Sequence, residues 1–198
     1  MRVSRIRAAT PPAWFEYSIS GKWLELLKQF APGVTRVAVL GDPDIPTGPA
    51  QFGVIQAVAP SFRVEVSSFN KRDANEIERV ITTFARSPNG GLIVTAGGPG
   101  FVNRELIITL AARYKLPAMY FDRAFVASGG LLSYGPDRIN LYRRAAGYVD
   151  RILKGEKPAD MPVQAPTKYH HQTLKIRSIG PPFSRTTDAI ARTRKRSR

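Results

Sequence analysis

The sequence has no cysteine among its 198 residues. Disulfides, thiolate catalysis and cysteine-based metal sites are therefore excluded, and the absence says nothing of the compartment. Long apolar runs are missing as well: none approaches the ~18 residues needed to cross a bilayer. Histidine is confined to the adjacent pair His170 and His171. Side chains of adjacent residues diverge on any regular backbone, so no metal site is expected there. With no histidine upstream and no G-x-S-x-G motif, a Ser-His-Asp arrangement cannot be assembled. No catalytic residue is assigned, and no metal or cofactor is expected. Acidic residues are also in short supply, 15 against 30 basic ones, for a net charge of +15.

The basic surplus gathers at the ends. His170 to Arg198 carries Lys175, Arg177, Arg185, Arg192, Arg194, Lys195, Arg196 and Arg198 against Asp188 alone. Met1 to Tyr17 adds Arg2, Arg5 and Arg7 against Glu16. Such ends attract anionic surfaces in general, but a solvated, disordered tail has the same composition. The N-terminal charges are not followed by an apolar h-region, because Thr10-Pro11-Pro12 intervene, so no secretory signal is read here.

What remains is a pattern of short apolar runs closed by turn residues. Val34 to Leu40 ends at Gly41-Asp42-Pro43, a buried-strand signature. Val64–Phe69, Leu92–Thr95 and Ala118–Phe121 repeat it. Between them lie helical periods. The first covers Gly21–Phe30, capped by Ser18 or Ser20, with Lys28 near its electronegative end and Pro32-Gly33 as its stop. Ala50–Ala59 ends at Pro60. Ala74–Arg86 follows an Asp73 cap, with Ile77, Val80, Ile81, Phe84 and Ala85 on one face. A fourth starts at Asn103, and Leu141–Leu153 follows Pro136-Asp137, after an extended piece over Leu131–Gly135. Helix and strand alternate, which predicts an α/β fold with an open parallel sheet and helices on both faces.

In such sheets ligands sit beyond the carboxyl ends of the strands. Three segments fall there: Gly41–Gly48, Ala96–Gly100 and Asp122–Gly130. Turn residues at these places are also what any strand–helix connection needs. Gly97-Gly98-Pro99-Gly100 lacks both phosphate-loop spacings, and Pro99 removes a backbone donor. Asp42 and Asp44 suit a ligand ammonium or the loop backbone better than a metal. Tyr17, Tyr120, Phe121, Phe125 and Tyr134 gather near strand ends. Phe121 is expected in the core, and Phe125 and Tyr134 are the pocket candidates. Arg123 is either a carboxylate clamp or a surface residue.

Longer stretches carry a resemblance. Phe15–Leu27 (FEYSISGKWLELL) with Ala31–Leu40 (APGVTRVAVL), then Arg86–Thr95 (RSPNGGLIVT), Leu116–Tyr120 (LPAMY), Gly129–Gly135 (GGLLSYG) and Lys154–Asp160 (KGEKPAD), are similar to ABC-transporter substrate-binding proteins related to tryptophan/tyrosine transport. The resemblance runs from about Phe15 to Tyr169. It implies two Rossmann-like lobes that close on a ligand, the type I periplasmic-binding-protein fold, of which this chain holds one. Residues 1–17 would be a lead-in, 18–135 the substrate-binding lobe, 136–169 a helix and extended segment that packs on the other lobe, and 170–198 a basic tail. The first lobe and the signal are missing from the pattern, and the family's apolar continuation after Tyr169 is replaced, so a truncated or frame-shifted product is expected.

The resemblance implies a solute-binding component of an ABC importer, not an enzyme, taking an aromatic amino acid or a similar small molecule. Asp42, Asp44, Gly97, Gly98, Asp122 and Tyr134 are the expected ligand contacts. An ABC permease is the implied partner. A homodimer could cover the helix Leu141–Leu153. The periplasm is the implied location, or the cytoplasm for the chain as it stands. The rival reading is an effector-binding or nucleic-acid-interacting regulator using the basic tail; residues 1–17 hold no helix-turn-helix pattern, and nucleic acid is not the expected partner.

Overall fold

A computed structural model describes residues 18–42, 44–70, 72–161 and 169–173. The lead-in before Ser18, Pro43, the proline-rich 162–168 and the basic tail beyond Thr173 lie outside the described residues. The described residues divide into two compact units: 18–135 with 171–173, and 136–161 with 169–170.

The larger unit begins with helix α1 (Ile19–Phe30). Ser18 stands at its N-cap, but its side chain makes no capping bond, and Ser20 lies inside the first turn. At the other end Lys28 Nζ donates to the carbonyls of Pro32 and Val34 at 2.8 and 2.7 Å, which ties the last turn of α1 to the segment that leads into β1. Strand β1 (Arg36–Gly41) follows, then α2 (Thr47–Val58), which starts three residues before its predicted bound. A 3₁₀ turn at Ala59–Phe62 leads into β2 (Glu65–Asn70). Helix α3 (Ala74–Phe84) is capped as its sequence requires, the Asp73 carboxylate accepting the Glu76 N–H at 2.8 Å.

Strand β3 (Gly90–Val94) is buried throughout. The helix expected from Asn103 is α5 (Arg104–Arg113); a short helix, α4 (Gly98–Val102), precedes it where a loop was expected, and Asn103 joins the two, its Nδ2 donating to Pro99 O at 2.9 Å. Strand β4 (Ala118–Tyr120) comes next. The segment after it, expected as a loop, contains helix α6 (Arg123–Ala127), and β5 (Leu132–Pro136) ends the unit's continuous run. A strand β6 (Tyr169–Thr173) occupies residues whose sequence shows no period.

The sheet order is β2-β1-β3-β4-β5-β6. Pairs β1–β2, β1–β3, β3–β4 and β4–β5 are parallel. Side chains alternate between the two faces with period two, and each face has its own core. Ala38, Leu40, Leu92, Val94, Ala118 and Tyr120 face α3 and α5. Val37, Val39, Ile93, Met119 and Leu132 face α1 and α2 through Trp23, Leu24, Leu27 and Ile55. Each buried Val, Leu, Ile or Met among them contributes roughly 1.5–3 kcal/mol. The central strands are apolar on both faces for this reason, whereas β2 lies at the sheet edge and stays half-exposed.

In the smaller unit helix α7 (Arg138–Leu153) begins at Asp137, whose Oδ1 accepts the Asn140 N–H at 3.0 Å. Asp137 Oδ2 also lies 2.9 Å from His170 Nε2. No residue of α7 is buried, and Ile139, Tyr142, Val149 and Leu153 are exposed along one arc. Among the described residues no helix is long and apolar enough to cross a membrane.

Two substitutions separate these environments. Ile93→Ala should lower stability by about 2–5 kcal/mol, because it opens a cavity between sheet and α1. Leu153→Ala should stay within about 0.5 kcal/mol of the parent. Urea titration followed by circular dichroism checks both.

Candidate functional site

Because β1, β3 and β4 are neighbours and run the same way, their carboxyl ends share one edge. Hydrogen bonds tie the exits together. Thr95 Oγ1 donates to Leu40 O at 3.0 Å, joining the ends of β1 and β3. Gln51, one turn into α2, accepts the Ala96 N–H through Oε1 at 3.2 Å. Two glycines then bring backbone onto backbone. A Cβ on Gly48 would sit 2.1 Å from Asp42 O, so the first turn of α2 lies against the end of β1. A Cβ on Gly135 would sit 2.1 Å from Phe121 O, which sets the end of β5 against the exit of β4.

Asp42 is buried at 5% exposure, with Oδ1 accepting the Asp44 N–H at 3.1 Å. Asp122, at 7%, accepts the Ala124 N–H at 2.8 Å and so caps α6. A capping acid at this place stabilises the short helix that re-aims the chain after β4. Gly97 has φ 147°, a conformation that glycine tolerates and side chains resist. A Cβ on Gly98 would meet nothing within 4 Å, so its backbone is open to approach. Asp42, Gly97, Gly98 and Asp122 therefore stand along one edge.

Asp44 and Tyr134 are placed differently. Asp44 is exposed and pairs with Arg72 at 3.4 Å. Tyr134 is half-buried against the α1-side core, and its carbonyl accepts the Trp23 Nε1–H at 2.7 Å. Phe125 is not a pocket residue. It is fully buried and stacks on Tyr120, with ring centres 4.7 Å apart and planes 14° from parallel. Burial pushes the Tyr120 phenol well above its usual range, so it stays protonated as core. Phe121 packs partly buried against both cores, and Arg123 is exposed.

Thr47, Gln51 and Thr95 were not singled out by sequence reasoning, yet all three are buried at this edge. The signal was present in part: Thr47 and Gln51 are polar residues one turn apart in a mostly apolar helix. The opposite edge holds an open cavity of about 470 Å³, lined among others by Phe30, Val34, Asn89, Tyr114, Lys115 and Pro117. It lies at the amino ends of the strands, away from every residue named above.

Residues 17–173 match the family model of the ABC transporter substrate binding proteins. The chain belongs to this family. The match runs four residues past Tyr169 and takes in all of β6. No curated protein matches the sequence. Among solved structures, an ABC domain in complex with L-Trp from Streptococcus pneumoniae is 23% identical, with a TM-score of 0.68 over 77% of this chain and 52% of its own. A conserved domain protein from Vibrio cholerae is 19% identical, with a TM-score of 0.69 over 78% and 52%. An ABC transporter solute binding protein from Agrobacterium vitis with bound allitol is 13% identical, with a TM-score of 0.59 over 89% and 63%. These likenesses show the fold. The chain spans about half the length of the first two.

The glycine geometry predicts unequal effects. Gly48→Ala should cost about 1–3 kcal/mol, since its new methyl meets a carbonyl held by β1. Gly98→Ala has open space and should stay within about 1 kcal/mol of the parent. Thermal unfolding of the two variants measures the difference.

Proposed function

We propose that residues 18–135 form the solute-binding lobe of an ABC importer's binding protein, with the ligand along the carboxyl edge of the parallel strands. The observation that carries this reading is the pair of buried carboxylates, Asp42 and Asp122, at the exits of β1 and β4 on either side of β3. Buried carboxylates with open backbone between them suit a ligand that brings an ammonium group. Gly97 and Gly98 let the ligand approach the backbone, and Tyr134 borders the site from β5. Asp44 stands at its outer margin, held by Arg72.

The ligand class proposed is an aromatic amino acid or a similar amphipathic amine. The sequence resemblance supports it, and so does the L-Trp bound in the Streptococcus relative. A bound polyol in another relative marks the alternative chemistry of the same fold. An ABC permease as partner and a periplasmic site of action go with this reading. Binding proteins of this kind hold their ligand by closure of two lobes, so one lobe buries only part of it.

Calorimetry with L-tryptophan tests the proposal. The 198-residue chain should bind with a dissociation constant above about 10 µM. Asp42→Asn, and Asp122→Asn which keeps a capping side chain, should each weaken binding by about tenfold. A sub-micromolar constant, or equal binding of the amine-free analogue indole-3-propionate, would contradict it.

A further inference from the structure

We infer that Thr47 recognises the ligand's ammonium group beside Asp42, an assignment that rests on the solute-binding reading above. Thr47 opens α2 directly after the exit of β1, and its neighbour Gly48 lies against the Asp42 carbonyl. Thr47 is only 8% exposed, and its hydroxyl has no hydrogen-bond partner among the described residues. The other polar side chains of this corner are engaged: Thr95 with Leu40 O, Gln51 with the Ala96 N–H, Asp42 with the Asp44 N–H. Buried hydroxyls are nearly always bonded, so one left over at a ligand edge points to a ligand atom. Ser20 and Ser133 also keep unbonded hydroxyls, but they sit within α1 and β5 rather than at the exit of β1.

The surroundings favour a cationic group. Pro46 and Pro49 carry no backbone N–H, and the N–H groups of Gly48 and Ala50 are already bonded to Ile45 O and Pro46 O. This helix start therefore has few donors left for an anion. A carboxylate at Asp42 and a hydroxyl lone pair at Thr47 offer acceptors instead, which an ammonium's three donors fit.

The test uses the full chain, tryptamine and indole-3-propionate as probes, NMR titration for affinity and thermal melting for stability. Thr47→Val should melt at or above the parent's temperature and bind tryptamine at least tenfold more weakly. Thr47→Ser should bind within about threefold of the parent. If Thr47→Val melts lower than both the parent and Thr47→Ser, the hydroxyl serves the fold and the assignment fails. If Thr47→Val binds tryptamine as the parent does, the assignment alone falls and solute binding stands. If the parent binds neither probe, or prefers indole-3-propionate, the amine reading falls and Thr47's role with it.

Discussion

Parallel pairing of β1, β3 and β4 is the constraint on which the site depends. Hydrogen bonds in register Val39 to Ile93 and Ile93 to Met119 hold three strands in one sense. Their exits then have no choice but to share an edge. Parallel strands need crossovers, and crossovers place helices on both faces, so the apolar character of the strands and the location of the site have one cause. The buried acids follow from it: Asp42 and Asp122 each occupy the first position or two past a strand, where the chain must turn and backbone N–H groups need acceptors.

Close backbone contacts complete the edge. Gly48 on Asp42 and Gly135 on Phe121 admit no side chain; the first sets α2 against the exit of β1, the second sets β5 against the exit of β4. Thr95 and Gln51 then stitch β1, α2 and β3 into one corner. The parts of the corner are held by hydrogen bonds to backbone atoms. In the proposed reading, a ligand would meet two carboxylates, open glycine backbone and the hydroxyl of Thr47 there.

Much of this was legible in the residues. The runs Val34–Leu40, Leu92–Thr95 and Ala118–Phe121 are apolar for both faces, and Asp73 before an i, i+3, i+4 stripe marks a helix start. What was not legible depends on tertiary context. α6 is five residues long, too short for a period, and exists because Asp122 caps it against the exit of β4. β6 has polar residues at its centre, His170, His171 and Gln172, and becomes a strand as the neighbour of β5. Phe125 looks like a loop aromatic until α6 turns it inward onto Tyr120. Pocket aromatics and core aromatics have the same composition, so only packing tells them apart.

The edge carrying Asp42 and Asp122 competes with the hollow at the amino ends of the strands, which is about 470 Å³ but is lined by no carboxylate. Amide chemical-shift mapping with L-tryptophan decides between them most directly. The account predicts shifts at Gly41–Asp42, Thr95–Gly98 and Phe121–Asp122. Shifts confined to Gly33, Asn89–Gly90 and Lys115–Leu116 would contradict it.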